Sequence, residues 1–544
     1  MSKLSPDFSC RSLPVRLQMV LAIAGLLGML ACGGTGSPTL STGGGGGTGG
    51  GGGNQNVLPC TFSAPAGGGT TSGAGAGTTV SGQFFGMHIT APNDPWPSTL
   101  IPGFQVGGQR LWDSGVAWSQ INTASGVYDW SMLDNWLSDD QSHGADVLYN
   151  LARTPTWASS QPNDSSCNNS DANGPGQCDP PIDLNADGSG SDDIWIGWVT
   201  AVAQHSQSKK SGGGTGISYY EIWNEWNQSV FWNPANSTTA QLVRMEQDAR
   251  CVVEGPPAGK SCNPNSVFPN GTGIDPTAKI VSPSPVGSHT ELNAVSKNLG
   301  TYFQTEVNGN PGGSFSDVIG FHGYVGTGNA TSTSSVACPV AEDVNTVISD
   351  MNSTLASYSF TAGKLLFNTE GGWSKAIYEG FTDEDQQAAF LPRYLLLQQS
   401  ANISRVYWYL WDSSVVGALY NDSTGEPVKA ATAYAEVSGW TTGATISKAC
   451  SANGTVWTCG YARPSYSALA VWDASQDCTA TSCPTTTFGL PSGGYIEYRD
   501  VAGNVNSLNG AGTVQIGAKP ILLETAPLPG EVLRQRLEEA VLSR

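Results

Sequence analysis

Charge is what this sequence has least of. Only 12% of its 544 residues are Asp, Glu, Lys or Arg, and the basic ones are scarcer, 24 against 44 acidic. The net charge of −20 therefore comes from missing cations rather than acidic runs, and nucleic acid, whose partners carry basic patches, is excluded as a partner. Histidine is also rare: the five His are scattered, with no two at a metal-ligand spacing. The cysteines lack the paired CxxC pattern of a zinc site. No GxSxG occurs, so the nucleophile elbow of an acyl esterase is missing. What the chain does have is 17 Trp and 17 Tyr amid abundant Gly, Ser, Thr and Asn, which suits an exported protein that stacks aromatic faces on neutral ligands. The length allows one large domain and a smaller one.

Lys3, Arg11 and Arg16 precede an apolar run, Leu17 to Leu30, that is short for a membrane span and suited to a signal peptide. The run ends at Met29-Leu30-Ala31-Cys32, which resembles a bacterial lipobox with Met in place of the usual Leu. The resemblance implies a signal peptide over 1–31, cleavage before Cys32, lipidation of Cys32 and a place at the bacterial cell envelope. An ordinary secretory signal cut nearby, releasing a secreted protein, is the alternative. Residues 32–58 form a Gly/Ser/Thr tether with a reach of about 25 Å.

Beyond Cys10 and Cys32 ten cysteines remain, an even number that fits disulfides in an exported chain. Close spacing pairs Cys167 with Cys178, Cys251 with Cys262, Cys450 with Cys459 and Cys478 with Cys483. Elimination leaves Cys60 with Cys338.

Over 79–440, short apolar runs alternate with helix-length amphipathic stretches, the pattern of parallel α/β architecture. Strands are expected at Phe84–Ile89, Gly108–Trp112, Asp146–Leu151, Ser218–Trp223, Lys279–Ser282, Val318–Phe321, Lys364–Asn368 and Val406–Trp411. Asp129 caps a helix ended by Gly144, Asp192 or Asp193 starts another, and Thr382 with Asp385 imitates a capping box. Eight strands with intervening helices give a (β/α)8 TIM barrel. The Asn/Asp/Gly-rich insertion 161–191 contains Asp183, Asn185 and Asp187, which look like the start of a calcium loop, but Ile194 stands where the closing Glu belongs. A local turn is the competing reading. Residues 441–525 change to short strands without helices, a small C-terminal β-sandwich domain with a hairpin turn at Ser451–Gly454, and the tail 526–544 holds a short amphipathic stretch.

Strand ends concentrate the chemistry. Glu225 ends the fourth strand and Glu370 the seventh, which puts two carboxylates on one rim, as glycosidic cleavage requires. Glu221, a turn deeper in the fourth strand, is the rival acid.

In EIWNE (Glu221–Glu225), FNTEGGW (Phe367–Trp373), Arg110 in QRLWD, His322-Gly323-Tyr324 and YWYLW (Tyr407–Trp411), the chain resembles the retaining (β/α)8 glycoside hydrolases of clan A, and most closely glycoside hydrolase family 39. The likeness runs from about Phe84 to Glu524. It implies Glu225 as acid/base, Glu370 as nucleophile, Asn224 on the sugar 2-hydroxyl, and Arg110 and Tyr324 holding Glu370 ionised. Trp118, Trp157, His322, Trp373 and Trp408 become subsite walls. The usual proline after the acid/base Glu is Trp226 here. The activity expected is a retaining β-glycosidase on a poly- or oligosaccharide, endo-acting in view of the open insertions, without cofactor. A non-catalytic glycan-binding lipoprotein on the same scaffold is the alternative.

If Cys32 carries the anchor, Cys32→Ser moves the protein from the membrane fraction to the soluble one, as fractionation and immunoblotting of expressing cells will report. An unchanged distribution rules the lipid anchor out.

Overall fold

The computed structural model describes residues 60–65, 67–167, 174–287, 294–325, 337–373, 381–413 and 417–529. The signal peptide, Cys32, the tether and the tail from residue 530 lie outside these residues.

Eight parallel strands close a barrel in chain order: β1 (Phe85–Met87), β2 (Gly108–Leu111), β3 (Asp146–Leu151), β4 (Ile217–Ile222), β5 (Lys279–Val281), β6 (Val318–His322), β7 (Leu365–Gly371) and β8 (Arg405–Trp408). β8 pairs back onto β1, with Phe85 opposite Val406. Helices follow β2 to β8 in turn: α1 (Ser131–His143), α2 (Asp193–Ser211), α3 (Thr239–Val253), α4 (Val295–Gln304), α5 (Val344–Leu355), α6 (Glu384–Ser400) and α7 (Lys429–Thr441). Every strand expected from the sequence is present within a few residues.

Local chemistry sets the helix ends. Asp129 accepts from the Ser131 N–H at the start of α1, and Gly144, at φ 72°, closes it in the left-handed conformation that glycine tolerates. The cap of α6 is Asp383, whose carboxylate accepts from the Asp385 N–H, and not Thr382. At α2 the flanking Asp192 makes no cap; Asp183 reaches in and accepts from the Ile194 N–H at 3.2 Å.

That bond belongs to the local-turn reading. One Asp183 oxygen accepts from the Ile194 N–H and the Ser191 hydroxyl while the other is buried without a partner; Asp187 accepts from the Ser189 N–H and hydroxyl, and Asn185 donates to the Ser189 hydroxyl. The loop carbonyls of Gly188, Gly190 and Ser191 accept instead from Arg244, at 2.9, 3.2 and 3.2 Å. A guanidinium, anchored to Asp248 at 2.6 Å, supplies the positive charge here.

Inside the barrel, Leu148, Tyr219, Val281, Val318, Phe367 and Tyr407 form an apolar layer. Above it, towards the carboxyl ends of the strands, lies a polar layer built on Arg110. The C-terminal part is a six-stranded antiparallel sheet, ordered β9 (Thr445–Asn453), β10 (Val456–Arg463), β11 (Tyr466–Asp473), β16 (Ile521–Glu524), β13 (Glu497–Asp500), β14 (Val505–Ser507). A two-stranded sheet, β12 (Thr486–Gly489) with β15 (Thr513–Ile516), shares an apolar core with it through Leu469, Val471, Val514, Ile516, Ile521 and Leu523. The hairpin turn sits two residues later than expected, since Asn453 still pairs with Val456 and Gly454 takes the positive φ.

Sequence patterning missed the segment just before the barrel. Its backbone bonds β9, with Thr71 donating to the Cys450 carbonyl, Gly77 to Ile446 and Val80 to Ala444. The edge that β9 would otherwise present is thereby covered. Five disulfides join Cys60–Cys338, Cys167–Cys178, Cys251–Cys262, Cys450–Cys459 and Cys478–Cys483.

Arg244→Met strips Asp248 of its buried partner and should cost about 3–5 kcal/mol, read as a lower denaturant midpoint. Millimolar calcium should leave the wild-type midpoint unchanged; a calcium-dependent rise would restore the metal reading.

Candidate active site

Arg110, at the end of β2, is fully buried. Each edge of its guanidinium is occupied. Nε donates to Glu221 at 2.6 Å, Nη1 to Glu370 at 2.9 Å and Nη2 to the Asn224 Oδ1 at 2.7 Å. One cation thus ties β4, the loop after it and β7 together. Glu221 also accepts from Asn150 at 2.8 Å and from Ser284 at 2.6 Å. It is fully enclosed in the barrel and paired, so the rival acid is a counter-ion.

Glu225 and Glu370 face one another at the rim. His322, which lies opposite Glu370 in the β6–β7 register, places Nδ1 2.8 Å from Glu225. One carboxylate oxygen of Glu225, one of Glu370 and a His322 ring nitrogen all lie within 4.8 Å of one another. Tyr324 donates to the second oxygen of Glu370 at 2.8 Å.

Burial sets the protonation states. It pushes the Glu370 carboxyl above its ordinary value, with Glu225 adding to the shift, against the opposite pull of His322, Arg110 and Tyr324. Arg110 and Tyr324 both touch Glu370 and both favour its ionised form, while desolvation and Glu225 oppose them and leave the carboxyl above its ordinary value. Glu221 goes the other way. Burial opposes its charge, yet Arg110, His322 and the Ser284 and Asn150 bonds together hold it below the usual range. Burial and Arg110 outweigh Glu370 and Glu221 in pushing His322 down to about 4, so it is neutral at neutral pH and meets Glu225 as a hydrogen-bond partner.

The strands hand over to the site through strained backbone. Asp113, Arg153, Trp223 and Glu225, just past β2, β3 and β4, all have positive φ without being glycine, at 59°, 70°, 63° and 40°. Such residues cost on the order of 1 kcal/mol or more each and cluster at functional sites. Trp223 is held by its indole N–H, which donates to the Phe231 carbonyl at 2.7 Å. A small, partly open pocket lies here, lined by Trp112, Arg153, Gln177, Trp223, Asn224 and Phe231. The Arg153 guanidinium lies over the Trp112 ring at 4.8 Å. Sequence reading missed Trp112, Arg153 and Phe231; for the first two, position directly after a barrel strand was the available signal.

Three proposed subsite walls are packing residues. Trp118 is fully buried, stacked on Trp198 at 6.0 Å and edge-on to Trp195 at 5.5 Å, in the layer outside the barrel. Trp373 and Trp408 are 1% and 0% exposed and meet edge to face at 4.8 Å, which leaves no open ring face for a sugar. Trp157 is 36% exposed and donates to the Asn122 carbonyl. Trp226 is 8% exposed and turns its ring to Tyr302 of α4.

No protein-family model matches the sequence, and no match to a curated protein sequence was found. Among solved structures, a glucosidase from Croceicoccus marinus is similar in fold, with a TM-score of 0.52 at 13% identity, over 85% of this chain and 99% of that one. A family 30 endoxylanase from Clostridium papyrosolvens aligns with a TM-score of 0.48 at 13% identity over 84% of this chain and 98% of its own. A family 44 xyloglucanase from Paenibacillus polymyxa aligns with a TM-score of 0.46 at 12% identity, covering 82% and 97%. The likeness to the glucosidase extends to the fold.

The raised Glu370 carboxyl has a stability signature. The folded chain holds this proton more tightly than the unfolded chain, so ionisation adds a cost as pH rises from the ordinary carboxyl range through the folded value. Glu370→Gln is expected to stabilise the protein at pH 7, with the two curves converging as pH falls below the ordinary carboxyl range. Thermal unfolding across pH measures it.

Proposed function

We propose that this protein is a retaining β-glycoside hydrolase acting on a poly- or oligosaccharide, with Glu225 as acid/base and Glu370 as nucleophile. The observation that carries the reading is the approach of the two carboxylates, with oxygens within 4.8 Å, at the carboxyl-end rim of a closed parallel barrel. Two carboxyl groups on one rim are what double displacement needs, one to protonate the leaving oxygen and one to attack the anomeric carbon.

The chemistry follows from these positions. A Glu370 oxygen attacks the anomeric carbon as its bond to the glycosidic oxygen breaks, and that oxygen takes the proton of Glu225. Water then gives a proton to Glu225 and its oxygen to the anomeric carbon, expelling Glu370 as carboxylate. Arg110 fixes the Asn224 amide by binding its oxygen, which turns the amide N–H groups to a sugar hydroxyl. His322, neutral and 2.8 Å from Glu225, can exchange a hydrogen bond with it in either protonation state.

The assignment to clan A, and within it the likeness to family 39, rests on EIWNE and FNTEGGW with Arg110, His322-Gly323-Tyr324 and YWYLW. The fold shared with the glucosidase supplies the barrel that such a site needs. An anchor at Cys32 would set the enzyme at the cell envelope.

A screen on defined oligosaccharides, with the product anomer followed by NMR, is expected to give retention. A cyclitol activity-based label should attach to the wild type and not to Glu370→Gln, whose kcat falls by roughly 10⁴-fold or more. Inversion overturns the nucleophile role. No labelling and no hydrolysis, with glycan binding kept, makes the protein a binder.

A further inference from the structure

Retaining chemistry poses a charge problem in this barrel. Arg110 is wholly buried, and a bare buried guanidinium is costly. One of its two carboxylate partners, Glu370, is the group that loses its charge when it bonds the anomeric carbon. If Glu370 were the sole counter-ion, every turnover would strand the cation.

The second partner cannot take part in the chemistry. Glu221 lies fully buried below the rim, and its oxygens are taken by Arg110, Asn150 and Ser284 at 2.6, 2.8 and 2.6 Å. Its bond to Arg110 is shorter than that of Glu370, 2.6 against 2.9 Å. Asn150 in turn holds the carbonyl of Trp223, and Ser284 meets the hydroxyl of Thr369, so the anion is fixed from β3, β5 and β7 as well as β2.

We propose that Glu221 is a positioning residue, the permanent counter-ion of Arg110, which divides that cation with Glu370 so that Glu370 can pass from carboxylate to ester without leaving a buried charge unbalanced. The proposal rests on the nucleophile role of Glu370. While Glu370 is ionised, the Glu221–Arg110–Glu370 group carries one net negative charge; once Glu370 is esterified, the group is neutral. Without Glu221 the same step runs from neutral to a lone cation. Glu221 thus weakens the hold of Arg110 on the nucleophile and keeps the glycosyl-enzyme accessible.

The other groups facing Glu370 are Glu225 after β4, His322 and Tyr324 at the end of β6, and Tyr409 after β8. None of them bonds Arg110. Removing the Glu221 charge alone should let Arg110 bind Glu370 more tightly.

The test reads Glu370 directly. In protein labelled with ¹³C at the Glu carboxyl carbons, with the Glu370 signal assigned by its loss in Glu370→Gln, Glu221→Gln should lower the Glu370 titration midpoint by roughly two pH units, the effect of one charge within about 8 Å at an effective dielectric near 20. Ser284→Ala, which keeps the Glu221 charge but removes a competing donor, should move the midpoint up and serves also if Glu221→Gln does not fold. With an activated aryl glycoside, the pre-steady-state burst should shrink in Glu221→Gln, because the intermediate forms more slowly relative to its breakdown. A Glu370 midpoint unmoved or raised in folded Glu221→Gln, or unmoved or lowered in Ser284→Ala, overturns the proposal. The titration needs no turnover, so correct shifts in a protein that hydrolyses nothing would sustain the charge division and sink the glycosidase reading instead.

Discussion

A single buried guanidinium organises the functional end of this barrel. Arg110 enters from β2 and meets Glu221 from inside β4, Asn224 just past β4 and Glu370 from β7. These contacts fix three directions at once, since a planar fork with donors on each edge tolerates little rotation. The polar layer around it, with Asn150, Ser284 and Thr369, sits on the apolar one of Leu148, Val281, Val318 and Phe367. Low dielectric below and strand ends above give the charges their strength, and also their cost.

That cost is unevenly shared. Glu221 is stabilised as an anion by Arg110 and its hydroxyl and amide donors, whereas Glu370, with Glu225 across from it, is pushed towards its neutral form. Two carboxylates on one cation are thus driven apart in acidity by their remaining neighbours. The left-handed backbone at Trp223 and Glu225 belongs with this asymmetry: the chain leaves β4 in a conformation it would not adopt unaided, held by the Trp223–Phe231 bond.

Much of this was legible in the sequence. Short β-branched and aromatic runs located all eight strands, and the polar residues at their ends, Asn224, Glu225, His322, Tyr324 and Glu370, are brought together by the closed topology. Aromatic residues were the weak point. Trp118, Trp373 and Trp408 carry the same letters whether they face a sugar or a neighbouring helix, and only burial tells them apart. Long-range pairing was invisible as well: the segment bonding β9 has no apolar alternation, because its contribution is backbone hydrogen bonds. Arg244 escaped notice for a related reason, since its partners are mostly carbonyl oxygens that any sequence would supply.

Trp226, directly after Glu225, shows how a loop without proline is held. A proline after Glu225 would fix φ and remove an N–H, stiffening the loop from within. Tryptophan does neither, so the rigidity has to come from packing. Its ring leans on Tyr302 of α4, and the Tyr302 hydroxyl donates to Glu246 of α3. Glu246 in turn accepts from the Gly313 and Phe315 N–H groups, each at 2.9 Å, ahead of β6. The residue beside Glu225 is therefore braced from behind by a buried carboxylate that ties α3, α4 and the approach to β6 into one unit. β6 is the strand that carries His322, the hydrogen-bond partner of Glu225, so the same brace reaches both ends of that bond.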